Sequence, residues 1–152
     1  MQTLPNILQA LLLIAAGAGL AGCSSLDKPG SGAFASVQIS GHTREQVRGA
    51  VLLEFEQDGY APADMKRDEM VFEKEGTRWD QVAYGGWLDK NIWVRVSVSL
   101  VPLADGACRL QCQAFKVRDK GDPTQEEPVP LRKSQNKPYQ AVLDKVAARL
   151  SR

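Results

Sequence analysis

The stretch Ile92-Trp93-Val94-Arg95-Val96-Ser97-Val98-Ser99-Leu100 decides the fold class of this chain. Its even-numbered residues are all apolar and share one face of an extended chain, whereas Trp93, Arg95, Ser97 and Ser99 share the other. Such alternation is typical of a strand with one buried and one wetter face, as in an antiparallel sheet that is covered on one side. We therefore predict a strand over 92–100 whose apolar face packs against other elements.

Further strands are predicted before this stretch. The segment 33–40 alternates enough to form a first strand. After a turn at Pro62, the apolar run 70–73 predicts another strand, and 79–88 predicts a third, less regular one.

A hairpin is predicted after the 92–100 strand, with Asp105-Gly106 turning the chain into a returning strand over 108–114. The apolar phase then slips at Phe115 and Val117, which predicts a β-bulge near residue 114. The segment 119–137 is rich in proline and charge and is predicted to form a long mobile loop.

Two helices are predicted. Thr43-Arg44-Glu45-Gln46 has the form of a capping box, and Gly59 supplies a left-handed C-cap, so the first helix spans about 44–58. The second helix follows Asn136 and Pro138, and its apolar stripe consists of Tyr139, Val142, Leu143, Val146 and Leu150.

Charge is distributed unevenly along the 152 residues. Lys and Arg number 19 against 18 Asp and Glu, a net charge of +1, which gives no reason to expect non-specific binding to nucleic acid. All of these charges follow residue 26. The first 26 residues are therefore a different kind of chain from the rest.

That first segment ends in Leu20-Ala21-Gly22-Cys23, after an apolar run over 10–22. Thirteen residues are too few to cross a bilayer as a helix, since about 20 are needed, but they suit the core of a signal peptide. Small residues before the cut fit a peptidase cleft, and the thiol of Cys23 can be alkylated. The alternative is an uncleaved apolar helix with an incidental cysteine.

The four-residue motif resembles the lipobox of bacterial lipoproteins. The resemblance implies that the Cys23 thiol receives a diacylglyceryl group, that the chain is cut before it, and that the new amino group is acylated, with palmitate as the typical chain. It also implies that Ser24 is a sorting residue compatible with export to the outer membrane. The protein is therefore expected to be anchored to a membrane. In a Gram-negative cell the expected membrane is the outer one, with the domain facing the periplasm.

Three parts of the chain follow from this interpretation. Residues 1–22 are a signal peptide, 23–32 are the acylated cysteine and a flexible tether, and 33–152 form one domain. Nine residues after Cys23 reach about 30 Å when extended. The domain is therefore expected to work close to the membrane.

The order of elements predicts an α+β fold, with an antiparallel sheet of four to five strands and two helices packed on one face. This β-α-β-β-β-(β)-α order looks like a helix-grip arrangement. It is similar in element order and anchor to the domains of the lipoprotein C subunit of the outer-membrane β-barrel assembly machinery. The similarity is one of architecture, and fold does not fix function.

Catalytic and metal-binding patterns are not found in the sequence. Cys108 and Cys112 lie on one strand about 13 Å apart, too far for a mutual disulfide, and are expected to be small core side chains. His42 is the sole histidine and precedes a helix, so we expect no catalytic triad and no metal site. Asp119, Asp122, Glu126 and Glu127 are expected to form a solvated acidic loop. We predict a protein that is not an enzyme and has no cofactor beyond its covalent lipid.

Aromatic residues are the best candidates for binding. Trp79, Tyr84, Trp87 and Trp93 fall within 15 residues, and of these Tyr84, Trp87 and Trp93 are our candidate partner-binding residues. The alternative for Trp93 is that it packs on Arg95 or under the long loop. Two functions stay open: an interaction or scaffolding module with an envelope protein as partner, or a ligand-binding domain for a glycan or a lipid.

Overall fold

The computed structural model describes residues 32–76, 92–122 and 124–152. The predicted signal peptide, Cys23, Ser24 and the tether up to residue 31 lie outside these ranges, as does the predicted strand over 79–88. Within the described ranges, no helix has both the length and the apolar character that a membrane span requires.

The described chain is an antiparallel sheet with two long helices, which confirms the predicted α+β class. In sequence order the elements are β1 (Ala35–Ile39), α1 (Arg44–Gln57), β2 (Ala61–Met65), β3 (Glu69–Glu75), β4 (Trp93–Pro102), β5 (Cys108–Arg118), β6 (Glu127–Pro130), a 3-10 turn (Lys133–Gln135) and α2 (Lys137–Leu150). The strand order is β1-β5-β4-β3-β2. Strand β6 pairs with β5 on the side that β1 occupies, beyond the end of β1.

The core lies between one face of this sheet and the helices. Val96 and Val98 of β4 are fully buried, as the alternation in the sequence predicts, and Phe72 of β3 stacks on Phe55 of α1 with ring centroids 4.5 Å apart. From α2, Leu143 and Val146 complete the same cluster. The apolar face of β4 therefore sets which side of the sheet the helices cover.

Helix α1 forms as its capping box predicts. The Thr43 hydroxyl accepts a hydrogen bond from the backbone amide of Gln46, and the Gln46 side chain accepts one from the backbone amide of Thr43. Gly59 follows the helix with a φ of +85°, the left-handed conformation that glycine adopts most readily. The second helix, α2, likewise buries Tyr139, Val142, Leu143 and Val146 of its predicted stripe.

The predicted turn at Pro62 is wrong, because Pro62 lies inside β2. This strand is at the edge of the sheet and all five of its residues are exposed, so no apolar alternation marks it. The pairing with β3 shifts register between Pro62 and Asp64. An edge strand with an irregular register tolerates a residue that has no amide hydrogen.

The predicted bulge near residue 114 is also wrong. Strand β5 keeps one continuous register with β4 from Cys108 to Val117. The apolar phase changes because Ala114 is buried against the helices, whereas Val117 is buried on the opposite face, where it pairs with Trp93. The cause is the local burial of Val117 on that opposite face, not an extra residue.

The segment 119–137 is not the unbroken loop that its prolines predict. Pro128 and Pro130 lie in β6, a short strand with β5 as its partner, and a 3-10 turn follows it. Proline is compatible with a strand of this kind because only one side of β6 pairs within the described sheet.

Candidate functional site

Trp93 starts β4 on the face of the sheet opposite the helices, which we call the open face. Its ring is half-buried, and the Nζ atom of Lys120 lies 3.6 Å from the ring centroid. Lys120 comes from the segment between β5 and β6. Lys120 thus covers one side of the Trp93 ring, and the ring keeps part of its surface exposed.

An ion-pair network surrounds this contact. Arg95 donates from Nε to Oε1 of Glu73 over 2.6 Å and pairs through its terminal nitrogen with Oε1 of Glu126 over 2.7 Å. Lys120 pairs with the second oxygen of Glu73. We call Glu73, Trp93, Arg95, Lys120 and Glu126 the open-face cluster. Because Lys120 and Glu126 flank the 121–125 turn, the cluster ties this turn to strands β3 and β4.

Glu73 is the centre of the network, and its side chain is only 8% exposed. Burial raises the pKa of the Glu73 carboxyl, but the hydrogen bonds and charges of Lys120 and Arg95 outweigh it and hold that pKa below its usual value. The pKa of Glu126 is also lowered, first by the Gly121 amide and then by Arg95. Both carboxylates are thus held ionised, an arrangement suited to structure rather than to proton transfer.

The four acidic residues of this segment divide into different environments. Glu126 belongs to the open-face cluster and is half-buried, so the expectation of a purely solvated acidic loop is wrong for it. Asp122 caps a turn by accepting from the amide and the hydroxyl of Thr124. Asp119 and Glu127 are exposed, as expected. The expectation failed at Glu126 because Arg95, its partner, is 31 residues away in the sequence.

Tyr84 and Trp87, the other two candidate partner-binding residues, lie outside the described residues. The structure therefore places only Trp93 of the aromatic set.

A trough that sequence reasoning missed lies between β6 and the start of α2. One part, of about 290 Å³, is lined largely by apolar side chains, among them Ile92, Val94, Leu131 and Tyr139. A second part, of about 510 Å³, is also lined by Leu131, and Arg132 lines it as well. The signal that could have found it is Ile92 together with Val94, because these two residues extend the apolar alternation of β4 to its start.

The start of the domain is fixed to the start of α2. Asn136 donates from its side chain to the carbonyl of Phe34 over 2.9 Å, and Lys133 donates to the carbonyls of Phe34 and Ala33. The Phe34 ring also packs on Tyr139, with centroids 5.3 Å apart. We call this region, where the predicted tether meets the folded domain, the tether root.

Cys108 and Cys112, the two cysteines within the described ranges, are free, and neither is a candidate nucleophile. Burial raises the pKa of the Cys112 thiol to about 12, and it raises the pKa of Cys108 as well. His42 and Cys108 share the lining of a cavity of about 150 Å³ with Arg44. Across the described ranges, no group of three His, Cys, Asp or Glu side chains is arranged to hold a metal ion.

No protein-family model matches the chain, and comparison with curated proteins finds no similar sequence.

Proposed function

We propose that this protein is a bacterial envelope lipoprotein, anchored through lipid on Cys23, whose domain is a non-catalytic interaction module. The observation that carries the proposal is Leu20-Ala21-Gly22-Cys23 at the end of a charge-free apolar segment. Two or three acyl chains hold a protein at a bilayer essentially permanently, whereas one chain binds only marginally. The proposed site of action is the periplasmic side of the outer membrane in a Gram-negative cell.

The fold is consistent with that role. The first strand starts at Ala35, shortly after the predicted tether, and the tether root attaches the preceding residue, Phe34, to the start of α2. Such an attachment lets the tether move without pulling β1 out of the sheet. The domain is then a stable unit held near the membrane by a linker.

The anchor is tested by growing cells with an alkyne analogue of palmitate. The wild-type protein should carry the label and partition into detergent, whereas Cys23→Ser should carry none and keep its signal peptide. Cys108→Ser is the matched control and should label like the wild type. Equal labelling of Cys23→Ser and wild type would refute the anchor.

Sorting is tested in the same cells with Ser24→Asp. In a Gram-negative host the resemblance to lipoproteins implies that this variant moves from the outer to the inner membrane fraction. Ser25→Asp, one residue further from the anchor, is the comparison. An identical distribution for wild type and Ser24→Asp would remove Ser24 as a sorting residue.

The open-face cluster is the part of the module that we propose contacts a protein partner. The Trp93 side chain is half-buried, so part of it can contact a partner, and Lys120 and Arg95 lie beside it. Tryptophan and arginine are enriched at binding hot spots. In-cell crosslinking with mass spectrometry should identify a partner whose yield falls at least fivefold for Trp93→Ala. Ser99→Ala, on the same face of the same strand, should leave the yield unchanged.

The trough favours a second candidate function, the binding of a lipid or another apolar ligand. Its smaller part is lined by Ile92, Val94, Leu131 and Tyr139 and has a volume at the lower limit of ordinary ligand sites. Native mass spectrometry of the protein purified from membranes tests this. A bound lipid that is lost in Leu131→Gln would support a binding protein, and its absence from wild type would favour the interaction module alone.

A further inference from the structure

The tether root is strongly basic. From residue 128 to residue 143 the chain contains Arg132, Lys133 and Lys137 but no Asp or Glu. All three cations are exposed. We call these three residues the basic root. The two charge signs are almost balanced over the whole chain, so a stretch of this length with one sign concentrates positive potential at one place on the domain.

The position of these charges is unfavourable for the helix that carries them. Lys137 is the first residue of α2, and the first turn has no acidic residue. Cations at a helix N-terminus are repelled by the helix dipole and by the amide groups that have no partner in the helix. Helix stability therefore does not explain the basic root, and its positive charge adds to that of the helix end.

Exposed apolar surface lies beside the basic root. Val129 is 37% exposed, and with Pro130 and Leu131 it lines the larger part of the trough, next to Arg132. Cationic side chains next to exposed apolar ones are typical of surfaces that lie in the interface of a lipid bilayer.

The tether brings this surface to the membrane first. Lys133 binds the carbonyls of Ala33 and Phe34, so the first residues of the domain, which follow the predicted tether, lie against the basic root. Nine residues after Cys23 span at most about 30 Å, and in a looser conformation much less. Electrostatic attraction to a bilayer acts over about 8 Å at physiological salt. The end of the domain nearest the tether is therefore the part that the bilayer attracts.

We propose that the basic root docks the domain onto an anionic phospholipid surface and thereby fixes its orientation on the bilayer. The positive charge matches the negative headgroups, and Val129 enters the headgroup region. The inference rests on the proposed lipid anchor for its geometry. With the tether root facing the bilayer, interactions with other molecules would use surfaces away from it.

The experiment uses the acylated protein purified from cell membranes and added to vesicles of phosphatidylcholine, with or without phosphatidylglycerol. A fluorescent amino acid replaces the exposed Ser134, and spin-labelled headgroups quench it on contact. We expect strong quenching on the anionic vesicles at low salt, weak quenching on neutral ones, and loss of the difference at high salt.

The double variant Arg132→Gln/Lys137→Gln should reduce the ratio of docked to undocked protein about 25-fold, since each cation contributes about fivefold at an anionic surface. Lys133 is left in place because it binds the two residues that precede β1. The matched control is Lys66→Gln/Arg67→Gln, which removes the same charge from exposed residues between β2 and β3. This control should quench like the wild type.

Sedimentation separates the two proposals. Protein that sediments with neutral vesicles is anchored by lipid, and if its Ser134 probe is not quenched on anionic vesicles, the docking inference is wrong while the anchor stands. Protein that binds only anionic vesicles, with a quenched probe, supports docking and contradicts the anchor. Equal quenching of the two double variants would overturn docking, as would crosslinking of the basic root to an acidic protein without any quenching.

Discussion

Arg95 and Glu73 face each other across the β3–β4 pair, and Nε of the arginine donates to Oε1 of the carboxylate over 2.6 Å. Glu73 is nearly buried, whereas Arg95 is 26% exposed. The pair is thus largely shielded from water, although Arg95 keeps some contact with it. It is the point at which the segment after β5 is attached to the sheet.

Replacing Glu73 with Gln should destabilise the domain by about 1–3 kcal/mol, because Arg95 and Lys120 lose their shared counter-charge while staying partly buried. Urea denaturation measures the change. Glu69→Gln is the control on the same strand, since its Oε1 accepts from Ser97 and a glutamine oxygen can still accept. We expect the control to change stability by less than about 0.5 kcal/mol. Equal effects for both variants would contradict the role of the network.

The same pair makes stability depend on pH. The pKa of Glu73 in the folded protein lies below its usual value, so the unfolded state binds a proton more readily, and stability falls as the pH drops. The contribution is complete above the unfolded pKa of about 4.3 and is lost as the pH falls through the lower folded pKa. The difference between wild type and Glu73→Gln should therefore shrink below about pH 4. A difference that stays constant from pH 7 to that range would argue against this assignment.

The two cysteines should differ in their reaction with iodoacetamide. With a pKa of about 12, Cys112 is ionised to only about one part in ten thousand at pH 8, and it is buried as well. Cys108 is partly exposed, so it should be modified first. Mass spectrometry of the timed reaction gives both rates, and urea should make them equal. Modification of Cys112 ahead of Cys108 in the native protein would contradict the burial that we describe.

Replacing two glycines of the α1 region with alanine should change the stability of the protein in opposite directions. Gly59 has a φ of +85°, so Gly59→Ala should cost about 1–2 kcal/mol. Gly49 lies within α1 on its exposed side, with no atom within 4 Å of an added Cβ, so Gly49→Ala should stabilise by about 0.5–1 kcal/mol. Thermal denaturation of the two variants checks the signs. A loss of stability in Gly49→Ala would mean that this exposed side of α1 is not free.

Gln140 covers the outer edge of β1. Its Oε1 accepts from the Ser36 amide over 3.1 Å, and its Nε2 donates to the Ser36 carbonyl over 3.0 Å. Gln140→Ala should cost about 1–2 kcal/mol and leave a strand edge available for pairing with another chain. Denaturation and size-exclusion chromatography measure both effects. Asp144→Ala, which removes only a contact to Gln140 itself, should leave the protein monodisperse.

The helices and the central strands could be predicted because their signals are local. A capping box at Thr43 involves residues three positions apart, and the alternation of β4 reports its own two faces. Strand β2 was missed because an exposed edge strand needs no apolar alternation, and Pro62 argued for a turn. Strand β6 was missed for a similar reason: its four residues are all exposed, and only pairing with β5 makes it a strand.

Of the candidate site, too, the sequence predicts one part and not the other. Trp93 could be chosen from the sequence because alternation places it opposite the core, but Lys120 and Glu73, which give it its surroundings, are 27 and 20 residues away. The sequence by itself determined the fold class and the buried face of β4, and it supplied the motif on which the proposed lipid anchor rests, since each depends on spacing along short stretches. Only the tertiary structure decided the open-face cluster, the burial of Val117 and the tether root. These depend on side chains that meet after the sheet has formed, and no local periodicity encodes which distant residues become neighbours.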